Sequence, residues 1–233
     1  MAAEKRGAGG SVGRPLRERV RARKKGRTAS QLRWLERQLN DPYVAAARRQ
    51  GYRSRAAFKL AELDDRLRLL RPGARVVDLG AAPGGWTQLA LERTRVGSGG
   101  GKVVAVDLAE IAPLKGAELL RLDVRAPEAA PLIRARLGGP ADLVLSDMAP
   151  PASGHRATDH LRIVVLAEAA AALAETLLKP GGAFVAKVWQ GGAEAALLAR
   201  LKAAFAKVRH VKPPASRAQS AEIYVVATGF HGG

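Results

Sequence analysis

Residues 75–88 read RVVDLGAAPGGWTQ. A short apolar run carries Asp78 and Leu79, six residues with almost no side chain follow, and then comes Trp86. This pattern predicts a buried strand, a close-packed loop and a helix starting near Trp86. In open α/β sheets, ligands bind beyond the carboxyl ends of the strands. Small residues there let the backbone approach a ligand, and a helix N-terminus offers free N–H groups to a negative group. The loop therefore reads as room made for a bound molecule. GAAPGG does not match the dinucleotide fingerprint G-x-G-x-x-G, and the chain has no G-x-x-x-x-G-K-[ST] phosphate loop.

Outward from this stretch the same texture repeats. Apolar runs follow at KVVAVDL (102–108), AELLRLDV (117–124), ADLVLSD (141–147) and AFVAKVW (183–189), with a weaker one at 207–212 and a last one, EIYVVATGF, at 222–230. Helical stretches at 86–93, 128–137, 158–178 and 192–205 lie between them. The alternation predicts an α/β fold with a mostly parallel sheet. Only PPASRAQSA separates the last two runs. That is too short for a helical crossover, so the final strand is expected to run antiparallel. Upstream, SRAAFKLAELDDRLRLL (54–70) spaces Phe58, Leu60, Leu63, Leu67 and Leu70 as a helix does, with Ser54 as its N-cap. Residues 31–51 are also expected to be helical. Residues 1–30 are too basic and too poor in apolar residues to fold alone. The expected organisation is a basic tail (1–30) and one domain (31–233), with a helical part (31–70) leading into the sheet and its helices (75–230).

The 233 residues carry a net charge of +18, and the charge is uneven. Residues 1–55 hold 16 Lys/Arg against 4 Asp/Glu, and the rest hold 23 against 17. A basic block of this density points to a polyanionic partner, most often nucleic acid. There is no cysteine, which rules out disulfides and thiolate metal sites and fits a reducing, cytoplasmic setting. No apolar run is long enough to span a bilayer, and the charged N-terminus does not resemble a signal peptide. No heptads are evident, so a monomer is expected.

Three runs close on an acid: Asp78, Asp107 and Asp123. An acid ending the second strand can accept bonds from both ribose hydroxyls. Asp123 is placed to meet an adenine amino group, and Asp78 with the loop N–H groups would serve an amino-acid end. Each Asp alone could be a turn former. Together with Gly80, Gly84 and Gly85 they describe a site for S-adenosyl-L-methionine.

SRAAFKL, VVDLGAAPGGWTQ, VVAVDL, LVLSDMAPPASG, FVAKVWQG and SRAQSAEIYVVATGF, in that order, closely resemble the FtsJ/RlmE family of RNA 2'-O-ribose methyltransferases. The resemblance implies a Rossmann-like methyltransferase fold dependent on S-adenosylmethionine, with seven strands, mostly parallel, and an antiparallel last strand. It implies a catalytic set of Lys59, Asp147, Lys187 and Glu222, and cofactor contacts at Gly84, Trp86, Asp107, Asp123 and Asp147. It further implies methylation of a uridine of 23S ribosomal RNA in the large subunit, within the A loop. A transfer RNA methyltransferase and a catalytically silent ribosome-assembly factor stand as alternatives.

A ribose hydroxyl is a weak acid and a poor nucleophile. Alignment with the methyl donor supplies much of the rate, and proton removal typically adds ~10²–10⁴-fold. Lys187, inside an apolar run, is the candidate base or the group that polarises the hydroxyl. A second cation and burial would lower its pKa from about 10.4, whereas nearby carboxylates would raise it. Asp147 would steer it, and Lys59 and Glu222 would hold the ribose. RNA contacts are expected from the tail, from Arg48, Arg49, Arg53 and Arg55, and from the loop APPASGHRATDH, with Trp34, Tyr43 or Tyr52 available to stack on bases. His155 and His160 lack a clear third ligand, so no metal is expected.

Overall fold

The structure, a computed structural model, describes Leu32, Leu35, Glu36 and residues 38–232 apart from positions 99, 152, 192 and 193. The tail (1–30) and Trp34 lie outside the described residues. The chain divides into two units, Met1–Ala45 and Ala46–Gly233. At the end of the first unit, Asp41 Oδ1 accepts the Tyr43 N–H (3.0 Å) and so caps helix α1 (Pro42–Gln50).

The second unit is built on a seven-stranded sheet in the order β3-β2-β1-β4-β5-β7-β6. The strands are β1 (Arg75–Leu79), β2 (Lys102–Asp107), β3 (Ala117–Arg121), β4 (Ala141–Ser146), β5 (Leu178–Trp189), β6 (Phe205–Val211) and β7 (Glu222–Phe230). β1 to β5 pair in parallel, and β7 runs antiparallel to both β5 and β6. The short β6–β7 connection thus makes a hairpin, as its length requires. The strand order reverses between β1 and β4, which opens a crevice at their carboxyl ends.

Apolar side chains fill both faces. On one, α4 (Ala129–Leu137), α5 (Arg156–Leu177) and α6 (Ala195–Ala204) bury Ile133, Leu137, Ala170, Ala174, Leu197 and Leu201 against Val77, Val104, Val144 and Phe184. On the other, α2 (Ala56–Leu67) and α3 (Gly85–Thr94) bury Leu60, Leu63, Trp86 and Leu89 against Val76, Val103, Leu143 and Val185. No helix among the described residues is long and apolar enough to cross a membrane.

Two local expectations are corrected. Ser54 does not cap α2: Arg55 occupies the cap position with no side-chain bond, and the Ser54 hydroxyl is buried without a partner. The third strand ends at Arg121, so Asp123 stands in the loop beyond it.

The turn from α2 into β1 is held by one carboxylate. Asp64 is buried; its Oδ1 accepts the Leu70 N–H (2.7 Å) and its Oδ2 receives the Arg93 guanidinium (3.2 Å). Asp64→Ala strands a buried donor and removes one of the two carboxylates on Arg93, which keeps Asp65 (3.0 Å), a loss of about 1–3 kcal/mol. Denaturant unfolding should show that loss as a lower midpoint with an unchanged slope.

Candidate active site

The loop after β1 does two jobs. Gly80 has φ +75, and a Cβ there would fall 2.9 Å from the Met148 Cα. Only glycine fits that contact, which closes the loop against the segment following β4. Gly84 and Gly85 make room for something else. A Cβ on Gly84 would meet Arg53 and Leu114, and one on Gly85 would collide with the Ser54 hydroxyl. The space at these two glycines is therefore filled by the chain's own residues.

The seat continues along α3. Trp86 Nε1 donates to the Ala56 carbonyl (2.7 Å). Gln88 accepts the Arg53 N–H (2.7 Å) and donates to the Gly51 carbonyl (2.9 Å). The Arg53 guanidinium bonds the carbonyls of Pro83, Ala112 and Pro113, and that of Arg55 bonds the Ala215 carbonyl. These two arginines, expected on phosphates, instead tie the segment before α2 to the body. Tyr52, offered as a stacking ring, bonds Glu92 (2.9 Å) and meets Phe58 edge-on. Burial and the Glu92 carboxylate push its hydroxyl up to about 12. Arg48 and Arg49 remain exposed.

The docked segment carries Lys59 to the carboxyl rim of the sheet, where four charged side chains meet. Lys59 Nζ lies 2.7 Å from Glu222 Oε1, at the start of β7. Lys187 Nζ, on β5, lies 2.7 Å from the Asp147 carbonyl and 3.2 Å from its Oδ1. Tyr224, paired across the sheet with Lys187, links the two ion pairs: its hydroxyl lies 2.7 Å from Asp147 Oδ1 and 3.4 Å from Glu222 Oε1. One hydroxyl hydrogen cannot serve both carboxylates fully, so the shorter contact marks Asp147 as acceptor. Ser216 donates to Glu222 (2.8 Å). Lys59 also stands 5.9 Å from the Tyr224 ring centre, within cation–π range. Both lysines are buried. Burial pushes the Asp147 carboxyl up, but Lys187, Lys59 and the Tyr224 hydrogen bond outweigh it and hold it below its ordinary value. Burial and the two carboxylates push the Tyr224 hydroxyl well above its own. Tyr224 and Ser216 were not singled out from sequence; in EIYVVATGF the tyrosine reads as one more strand residue.

Beside this cluster opens a cavity of about 690 Å³. Gly80, Asp107, Asp123 and Asp147 line it, together with Leu122, Met148, Leu161 and Leu166. Each Asp107 oxygen accepts one backbone N–H, from Ala82 (2.9 Å) and Ala109 (2.8 Å), and each keeps a free lone pair. Asp123 forms a forked pair with Arg125, which lowers its carboxyl to about 2. Asp78, Gly84, Gly85 and Trp86 stand outside the cavity lining. Trp86 packs on Tyr224 with ring centres 5.6 Å apart. Asp78 is fully buried beneath the loop; its Oδ2 accepts the Thr87 hydroxyl (2.7 Å), and its Oδ1 has no partner. No group of described residues is arranged to hold a metal.

The volume, the apolar walls and the few acids at the switch point suit a nucleoside-bearing ligand. The two free lone pairs of Asp107 suit a ribose diol, and the residues present fit S-adenosylmethionine. Fold and site together define a Rossmann-like methyltransferase. The FtsJ-like methyltransferase family matches residues 52–230, and the chain belongs to that family. It is 59% identical to ribosomal RNA large subunit methyltransferase E of Xanthobacter autotrophicus, across 96% of this chain and 87% of that protein. It is 58% identical to the protein of the same name in Paramagnetospirillum magneticum, across 97% and 92%. A crystal structure described as a ribosomal RNA methyltransferase of Plasmodium falciparum superposes with a TM-score of 0.69 at 30% identity, covering 78% of this chain and all of that one.

Burial, with help from the nearby Asp147 and Asp107 charges and against the Thr87 bond, raises the Asp78 carboxyl to about 7. Between its unfolded value of about 3.9 and 7, the folded protein holds a proton that the unfolded chain releases. Asp78 thus subtracts stability as pH rises through that window. The unfolding free energy of Asp78→Asn relative to wild type should therefore climb from pH 4 to pH 7 and level off above it. A flat difference across denaturation curves would mean that Asp78 titrates normally.

Proposed function

We propose that the chain transfers a methyl group from S-adenosylmethionine to the ribose 2'-hydroxyl of a uridine in 23S ribosomal RNA, within the large subunit. The meeting of Lys59, Asp147, Lys187 and Glu222 beside the cavity carries this reading, and the names of the relatives support the substrate. We further infer that the enzyme works as a monomer in the cytoplasm.

When bound, S-adenosylmethionine supplies a methyl group already activated on a sulfonium. Asp107 would take its ribose and Asp123 its adenine. Asp147 stands at the junction of cavity and lysine cluster. Gly84, Gly85, Trp86 and Asp78 act from behind by shaping the loop and helix start. Lys187 directs two N–H bonds at Asp147, so the third position of its nitrogen is left for the substrate hydroxyl. As the neutral amine it would present a lone pair there, fix the oxygen in line and take its proton as the O–C bond forms and the donor's C–S bond breaks. Asp147 holds the Lys187 nitrogen in place, and Glu222 does the same for Lys59, which grips the ribose. Tyr224 keeps the two pairs in register. An acceptor that is only a binding factor would not need two buried, cross-linked ion pairs at the mouth of a cofactor cavity.

Lys187→Ala should retain cofactor affinity by calorimetry and lose at least ~10²-fold in turnover. Near-wild-type turnover would remove Lys187 from the chemistry. Labelled methyl uptake into large subunits, free ribosomal RNA and transfer RNA, with mapping of the modified ribose, tests the substrate. Uptake by transfer RNA alone would overturn the ribosomal assignment, and none anywhere would favour the assembly factor.

A further inference from the structure

A second cavity, about 670 Å³, opens at the opposite, amino-terminal rim of the sheet. Six cations border it: Arg68 and Arg71 from the turn after α2, Arg75 at the start of β1, Lys179 near the start of β5, and Lys207 and Arg209 on β6. The floor is made of small residues. Ala183, Thr228 and Lys207 stand in one row across β5, β7 and β6, and Val185, Val226 and Arg209 in the next. Side chains paired in this way share a face of the sheet, so Lys207 and Arg209 rise beside the floor.

The lining contains a single acid, Asp142. It is already engaged, by the Lys179 ammonium and by the Arg75 N–H (2.8 Å). Arg68, Arg71, Arg75, Lys207 and Arg209 have no carboxylate partner among the described residues. Like charges gathered around a hollow repel one another unless an anion joins them. The cations stretch from β1 to β6, four strand spacings, or about 19 Å at ~4.8 Å each. A single phosphate spans far less than that, whereas a run of phosphates on a chain fits it. Guanidinium groups suit phosphate oxygens by their planar fork.

We propose that this cleft is a second RNA-backbone site, used to dock the enzyme on a segment of ribosomal RNA other than the one that enters the active site. The assignment of ribosomal RNA rests on the proposed function. Along β5 the floor residue Ala183 and Lys187 are separated by roughly 13 Å, at ~3.3 Å per residue, and the two sites open at opposite rims. One short strand lying in the active site does not also lie in the cleft. A folded ribosomal particle can present RNA to both. The cleft adds affinity and takes no part in chemistry.

The test is the variant Arg71→Gln/Lys207→Gln/Arg209→Gln, compared with wild type for binding of single-stranded RNA over a salt series and for methyl transfer to large ribosomal subunits. Loss of three phosphate contacts should flatten the slope of log affinity against log salt by about 2, at ~0.7 per contact. KM on subunits should rise about tenfold with kcat unchanged, because uniform binding is lost. An unchanged slope with an unchanged KM overturns the proposal. So does a fall in kcat at constant slope, which would make these side chains structural. If the triple variant does not fold, Arg209→Gln alone should flatten the slope by about 0.7. Should wild type methylate no ribosomal RNA, the proposed function fails, while the difference in salt slope still decides whether the cleft holds RNA.

Discussion

The fit of residues 51–59 against the start of α3 governs everything at the carboxyl rim. Trp86 and Gln88 supply three hydrogen bonds to that segment, and Gly84 and Gly85 supply the space that lets it come close. The result is that α2 lies over the sheet with Lys59 pointing at β7. A buried ammonium is costly without a counter-charge, so this docking requires Glu222 to be where it is. The loop and helix after β1 thus serve the substrate side of the site as well as the cofactor side.

The lysine cluster balances two ammonium groups against two carboxylates in a poorly hydrated place. Buried pairs of this kind contribute little net stability, but breaking one leaves a charge stranded. Tyr224 is suited to joining them because it is neutral: its hydroxyl sits between the acids and its ring lies under Lys59. Asp78 shows the opposite treatment. It is an acid near two other acids with no cation beside it, and its structure favours the protonated form. Neighbouring carboxylates on adjacent strand ends are therefore held in different states by burial and partners alone.

Much of this was legible in the sequence. Strand-length apolar runs fixed the number and type of the sheet elements, and the nine residues between the last two strands fixed the reversal of β7. The four charged residues were found through motif resemblance and do meet in space. What stayed hidden depended on partners far along the chain. Nothing local to Arg53 or Arg55 says that carbonyls rather than phosphates will satisfy them. GAAPGG reveals that something approaches closely, but not that at Gly84 and Gly85 the visitor is Arg53 and Ser54. Tyr224 looks like ordinary strand filling, because its role comes from a cross-strand pairing with Lys187. The basic cleft draws its cations from a turn and three strands, so no stretch of sequence displays it.

The insertion of β7 between β5 and β6 has a consequence for biosynthesis. β1 to β4, which build the cofactor side, emerge from the ribosome first and pair in parallel. Glu222 and Tyr224 are translated long after Lys59, and β6 must leave a gap beside β5 that a later strand fills. A polypeptide made only as far as β5 therefore carries Asp147 and Lys187 but lacks the carboxylate and the ring that hold Lys59. The two ion pairs are joined through the Tyr224 hydroxyl only once β7 lies between β5 and β6.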